Sequence, residues 1–158
     1  MRNILIVGQC GSGKTWVMKQ LIDKLDLNIT GKVGMFYFHR NEKVLLLGKY
    51  DGSTFEGSDR LSMAVVGDMD KFRIYVAAFP RVVIAEGDRF TNSTYIQAMQ
   101  PTIIRINDDG SAGRKKRGST QTERQIKSIA TRVSKVKPQH EVKDSSEALK
   151  LIVKLLKP

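Results

Sequence analysis

The chain has 158 residues, of which 41% are hydrophobic and 27% charged, and its formal net charge is +11. That balance suits one domain, residues 1–158, with a full core. No apolar run approaches the ~18 residues of a membrane span, the start "MRNILIVG" lacks the pattern of a secretory leader, and the lone Cys10 excludes an internal disulfide, so the expected setting is the cytoplasm with no membrane partner.

In chain order, "NILIVG" predicts a short buried strand ended by glycine. "GKTWVMKQLIDKL" predicts a helix, with Trp16, Val17, Leu21, Ile22 and Leu25 near helical spacing. "KVGMFYFHRNEKVLLLGKY" holds two strand-like runs around "HRNEK" and predicts a hairpin near 32–48. "DGSTFEGSD" reads as a polar loop. "DMDKFRIYVAAF" predicts a helix with Phe72, Val76 and Phe79 inward, stopped by Pro80. "RVVIAEGDR" predicts a second core strand with a charged tip, "TNSTYIQAMQ" a short helix capped by Thr91 or Asn92, and "PTIIRIN" a third core strand. "DDGSAGRKKRGS" reads as a flexible basic loop, and "TQTERQIKSIATRVSKV" as a helix through at least Arg132. "HEVKDSSEALKLIVKLLK" predicts a short strand, then an amphipathic helix with Asp144 and Glu147 at capping-box spacing. Strands alternating with helices imply an α/β fold with a mainly parallel sheet of about five strands, whose ligands bind beyond the carboxyl ends of the strands.

"GQCGSGKT", Gly8–Thr15, fits G-x-x-x-x-G-K-[ST] in full, between a strand and a helix. Gly8, Gln9, Cys10, Gly11, Ser12, Gly13, Lys14 and Thr15 are therefore the expected cradle of a nucleoside triphosphate. The glycines let backbone N–H groups turn toward phosphates, and the helix N-terminus adds its dipole. Lys14 supplies a charge for the β- and γ-phosphates and Thr15 a hydroxyl for Mg²⁺. The apolar strand "VVIAEGDRF" ends in Glu86 and Asp88, carboxylates suited to holding Mg²⁺ or taking a proton.

"DRFTNSTYIQ" resembles a region of thymidylate and deoxynucleoside kinases, with Asp88, Arg89, Phe90 and Ser93 matching its pattern. "GSDRLS" and "EGDRF" together resemble small phage-encoded P-loop kinases, among them the 5-hydroxymethyluracil DNA kinases. The resemblance covers most of residues 3–132 and implies a P-loop fold of the nucleoside or nucleotide kinase type, using ATP and Mg²⁺. It also implies an acceptor hydroxyl on a base already inside DNA, with Arg89 and its acidic neighbour Asp88 facing the acceptor and Ser93 among the acceptor-binding residues. The hairpin near 32–48 departs from simple nucleotide kinases, where a helical acceptor-binding segment is usual.

Two further stretches complete the expected site. In "DGSTFEGSDRLS", Arg60 is a candidate acceptor clamp, Asp59 a candidate base or orienting partner, and Phe55 a candidate stacking ring. The basic loop at about 108–120 is the expected lid, with Arg114 and Arg117, and further along Arg124 and Arg132, as candidates to stabilise the transferring phosphoryl group. Residues 110–143 hold ten basic residues against Glu123 and Glu141, so +8 of the net +11 falls there and points to a polyanion such as DNA. His39, His140 and Cys10 stand too far apart in sequence for a zinc site and are expected to be structural or surface residues. The expected activity is phosphoryl transfer from ATP to a hydroxymethylated pyrimidine in DNA. The alternatives are a kinase of free nucleosides or nucleotides, and a nucleic-acid-docking nucleotide-binding protein or ATPase. The sequence is silent on oligomeric state and on ATP against GTP.

Overall fold

The computed structural model describes residues 2–53 and 56–158. The strands are β1 (Ile4–Gly8), β2 (Ile29–Val33), β3 (Phe36–Arg40), β4 (Val44–Leu47), β5 (Val82–Glu86), β6 (Thr102–Ile106) and β7 (His140–Val142). The helices are α1 (Lys14–Lys24), α2 (Met69–Ala78), α3 (Ser93–Met99), α4 (Ser111–Lys116), α5 (Glu123–Lys135) and α6 (Ser145–Leu155). Among the described residues the seven strands form one sheet, ordered β2-β3-β4-β5-β1-β6-β7.

Against the expected sheet of about five strands with the hairpin as an insertion, the sheet has seven, because the hairpin strands belong to it. β4, β5, β1, β6 and β7 are each parallel to their neighbours in that series. The sheet as a whole is mixed, because β2 and β3 add an antiparallel edge. β3 and β4 are the predicted hairpin, and β2 extends it to a three-stranded meander. Sequence patterning does not flag β2: "ITGKV" is short and mostly exposed, and its Gly31 leaves room for the Phe38 ring.

The central strands are apolar on both faces, as parallel strands covered by helices must be. Alternation then sorts their side chains. Leu5, Val7, Val83 and Ala85 join Phe72 of α2, Tyr95 of α3 and Val133 of α5 in one core. Ile4, Ile6, Val82 and Ile84 join Val17, Met18 and Leu21 of α1 and Ala148, Leu149 and Ile152 of α6 in the other. Each fully buried aliphatic or aromatic side chain contributes about 1.5–3 kcal/mol through burial. The result is three layers, with helices on both faces of the sheet. Among the described residues no helix is long and apolar enough to cross a membrane.

Local signals explain most element ends. Asn92 caps α3 by accepting from the Thr94 N–H, and Asp144 caps α6 by accepting from the Glu147 N–H. The Glu147 carboxylate reaches one residue further back than a capping box requires, to the Lys143 N–H. Thr122 and Gln125 form a full capping box on α5.

Three expectations are corrected. Phe79 does not face inward: α2 ends at Ala78, and the residue before Pro80 turns out of helical conformation, leaving Phe79 54% exposed. Trp16 lies off the buried stripe of α1 and is 45% exposed. The basic segment is not a plain loop, since residues 111–116 form α4.

Candidate functional site

β1 lies mid-sheet, and the chain passes from its β5 side to its β6 side, so the crevice at its carboxyl end is a topological switch point. There the glycine loop turns into α1. Gly13 takes φ +93° as the residue before the helix, a conformation that a Cβ would strain. No side chain caps α1, so its first N–H groups stay open. The Lys14 ammonium curls over the loop and donates to the Gly8 and Gln9 carbonyls, at 3.0 and 2.9 Å.

Register places Ile6 opposite Glu86, so the Glu86 side chain leaves β5 on the α1 face of the sheet, close to Lys14. It is 4% exposed. Its Oε1 accepts from the Ser58 N–H and the Tyr50 hydroxyl, each at 3.3 Å. Burial, the largest influence, pushes the Glu86 carboxyl above the usual glutamate range; Lys14 pulls it back and Asp59 adds to the rise. Burial and the same carboxylate hold the Tyr50 hydroxyl well above its ordinary value, so it remains a proton donor. Glu86 thus ties the 50–60 loop to the strand tip beside the glycine loop.

A folded-state value above the unfolded one means that Glu86 contributes stability below the ordinary glutamate range, lost as pH rises through the raised value. Glu86→Gln, which keeps the size and an acceptor oxygen, is therefore expected to flatten the fall in thermal stability between mildly acidic and neutral pH. Melting curves across that range check this, and an unchanged pH slope would contradict it.

One cleft of about 1340 Å³ gathers most of the expected residues. Gly8, Cys10, Gly11, Gly13, Lys14 and Thr15 line it from the glycine loop and the start of α1, Asp59 and Arg60 from the 50–60 loop, and Glu86, Asp88 and Arg89 from the end of β5. Helix α5 adds Arg124, Ser128 and Arg132 at i, i+4 and i+8, and Arg117 follows from the end of α4. Gln9 and Ser12 of the loop do not line it: the Gln9 carbonyl is held by Lys14 and the Ser12 N–H, and Ser12 is buried.

Several roles shift once contacts are known. Arg114 does not line the cleft; its guanidinium donates to the Cys10 carbonyl at 2.7 Å and to the Asp109 carbonyl at 2.9 Å. It ties α4 to the glycine loop. α4 rests its backbone on that loop so closely that a Cβ at Gly113 would come within 2.0 Å of the Gly11 carbonyl oxygen. Arg117 donates to Cys10 Sγ at 3.1 Å. Asp88 is ion-paired with Arg132 at 2.8 Å, and Arg60 with Asp51 at 3.0 Å. Ser93 is exposed at the start of α3 and does not line the cleft. Phe55 lies outside the described residues.

The sequence reading passed over Tyr50, Ser58 and Lys19. Tyr50 gave no signal, because its link to Glu86 spans 36 residues. Lys19 pairs with Glu56 at 2.8 Å, joining α1 to the 50–60 loop. Its signal was available: Trp16, Lys19, Gln20 and Asp23 recur at i, i+3, i+4 and i+7 beside the buried stripe. His39 sits edge-on to Tyr50 with ring centres 5.8 Å apart, and burial lowers its proton affinity.

The donor set suits a hard cation and a triphosphate. Thr15 offers a hydroxyl and Glu86 and Asp88 carboxylates within the same cleft, the oxygen ligands that Mg²⁺ prefers. Compared with known proteins, the sequence matches no family model and no curated protein.

Proposed function

We propose that the chain is a P-loop kinase that transfers the γ-phosphoryl group of ATP to the hydroxyl of a hydroxymethylated pyrimidine in DNA. The observation that carries this reading is one cleft lined together by Lys14 and the glycine loop, by the carboxylate of Asp59, and by Arg89, Arg117, Arg124 and Arg132. Its volume of about 1340 Å³ exceeds the roughly 300–1,000 Å³ of a site for one small ligand, leaving room for donor and acceptor together.

Lys14 and the loop N–H groups bind the β- and γ-phosphates, with phosphate oxygens replacing the Gly8 and Gln9 carbonyls as partners of the ammonium. Thr15 and Asp88, with Glu86 behind water, would hold Mg²⁺, which when bound neutralises charge on the phosphate oxygens. The acceptor hydroxyl gives its proton to Asp59, which forms no ion pair among the described residues. The new P–O bond forms as the bond to the β-phosphate bridging oxygen breaks, and ADP leaves with that electron pair. Arg89, Arg117, Arg124 and Arg132 line the cleft where the equatorial oxygens carry charge.

DNA as the acceptor's carrier is supported by the resemblance and by the charged surface. Of the ten basic residues in 110–143, all but Arg114 are exposed. The test is incubation with Mg-ATP and three acceptors: 5-hydroxymethyluracil DNA, ordinary DNA, and a panel of deoxynucleoside monophosphates. Phosphate is expected on the first. Phosphate on the monophosphates alone would replace this reading with that of a free-nucleotide kinase.

A further inference from the structure

Among the described residues six large apolar side chains are exposed: Trp16, Ile29, Met63, Ile74, Phe79 and Leu155. Only Trp16 and Met63 line the main cleft. Trp16 follows Thr15 directly, is 45% exposed and lines the cleft, so much of its surface is left for a ligand to cover. We infer that Trp16 is a stacking platform for an unpaired base of the acceptor strand. This rests on the reading of the cleft as the place where donor and DNA meet.

Three observations put the platform on the acceptor side. Trp16 shares a cleft-facing stripe of α1 with Lys19, Gln20 and Asp23. Lys19 on that stripe is ion-paired with Glu56, so the stripe abuts the 50–60 loop that brings Asp59 and Arg60. The opposite flank of the glycine loop is covered by α4, through Arg114 and the close approach of Gly113. Trp16 and Met63 both line the cleft, so a base entering it has an aromatic face and a polarisable thioether available. Stacking accepts any base, so chemical selection falls to the groups around its edge. A stacked base must also leave its duplex, which favours single-stranded or easily unpaired DNA.

Trp16 is the single tryptophan of the chain, so tryptophan fluorescence, excited where tyrosine does not absorb, reports on this position alone. Saturable quenching is expected on titration with a single-stranded 5-hydroxymethyluracil oligonucleotide without nucleotide, and little with Mg-ADP alone. Trp16→Ala is expected to weaken binding of the labelled oligonucleotide, followed by anisotropy, roughly 5- to 150-fold. Trp16→Phe should recover most of that affinity, and the KM for ATP should stay unchanged in both. Quenching by Mg-ADP but not by oligonucleotide would overturn the inference and assign the ring to the donor's adenine. DNA phosphorylation with no oligonucleotide quenching and no loss in Trp16→Ala would overturn it too. Quenching by oligonucleotide in a protein that transfers no phosphate would support the platform and sink only the kinase reading.

Discussion

Lys14→Ala is expected to abolish measurable phosphoryl transfer, a loss of at least about 10²–10³-fold, the usual effect of removing one preorganised charge at developing anionic oxygens. Without a substrate the ammonium is held by two main-chain carbonyls of its own loop, Gly8 and Gln9, the partners that phosphate oxygens would replace. Removing it costs on the order of 1–3 kcal/mol in charged hydrogen bonds. Lys14 is only partly buried, and the protein should stay folded. A melting curve alongside a labelled-phosphate assay separates the two effects. Near-normal transfer in the folded variant would move the donor away from the glycine loop.

Asp59→Asn is the second large effect. The variant keeps size and polarity but cannot take a proton, and removing a general base costs about 10²–10⁴-fold in rate. Asp59 is exposed in the 50–60 loop, so stability should barely change. The loss should appear in kcat, with the KM for ATP unchanged, because the group acts on the acceptor. Asp51 and Glu56 are poorer candidates for the role, since Arg60 holds the one and Lys19 the other. A rise in KM with kcat intact would make Asp59 a binding group instead.

Much of this architecture was legible because local chemistry determined it. The glycine loop, the strands that β1, β5 and β6 became, and the caps of α3 and α6 are each written within a few consecutive residues. Pro80 marks the stop of α2 in the sequence, but a proline also drives the residue before it out of helical conformation, so the helix ends at Ala78 and Phe79 leaves its inward face. β2 escaped because an exposed edge strand needs no apolar alternation. The site was harder to read, since its decisive contacts are long-range. Arg114 looked like a transfer arginine in a basic run, yet it meets Cys10 across 104 residues. Arg132 is the partner of Asp88, a pairing set by how α5 packs against the 88–90 turn that follows β5. Trp16 has the apolar character and near-helical spacing of a buried position, but it falls beside the stripe of Val17, Met18 and Leu21, on the face of α1 that lines the cleft.

The central claim is that donor phosphate at Lys14 and a DNA-borne hydroxyl at Asp59 meet in one cleft. The most direct test is to locate the transferred phosphate. Single-stranded DNA containing 5-hydroxymethyluracil is incubated with the protein and Mg-ATP carrying a labelled γ-phosphate, then digested to nucleosides with the base modification left intact. The account predicts label on the hydroxymethyl oxygen of the modified base. Label confined to a strand terminus, or released only as inorganic phosphate, would contradict it.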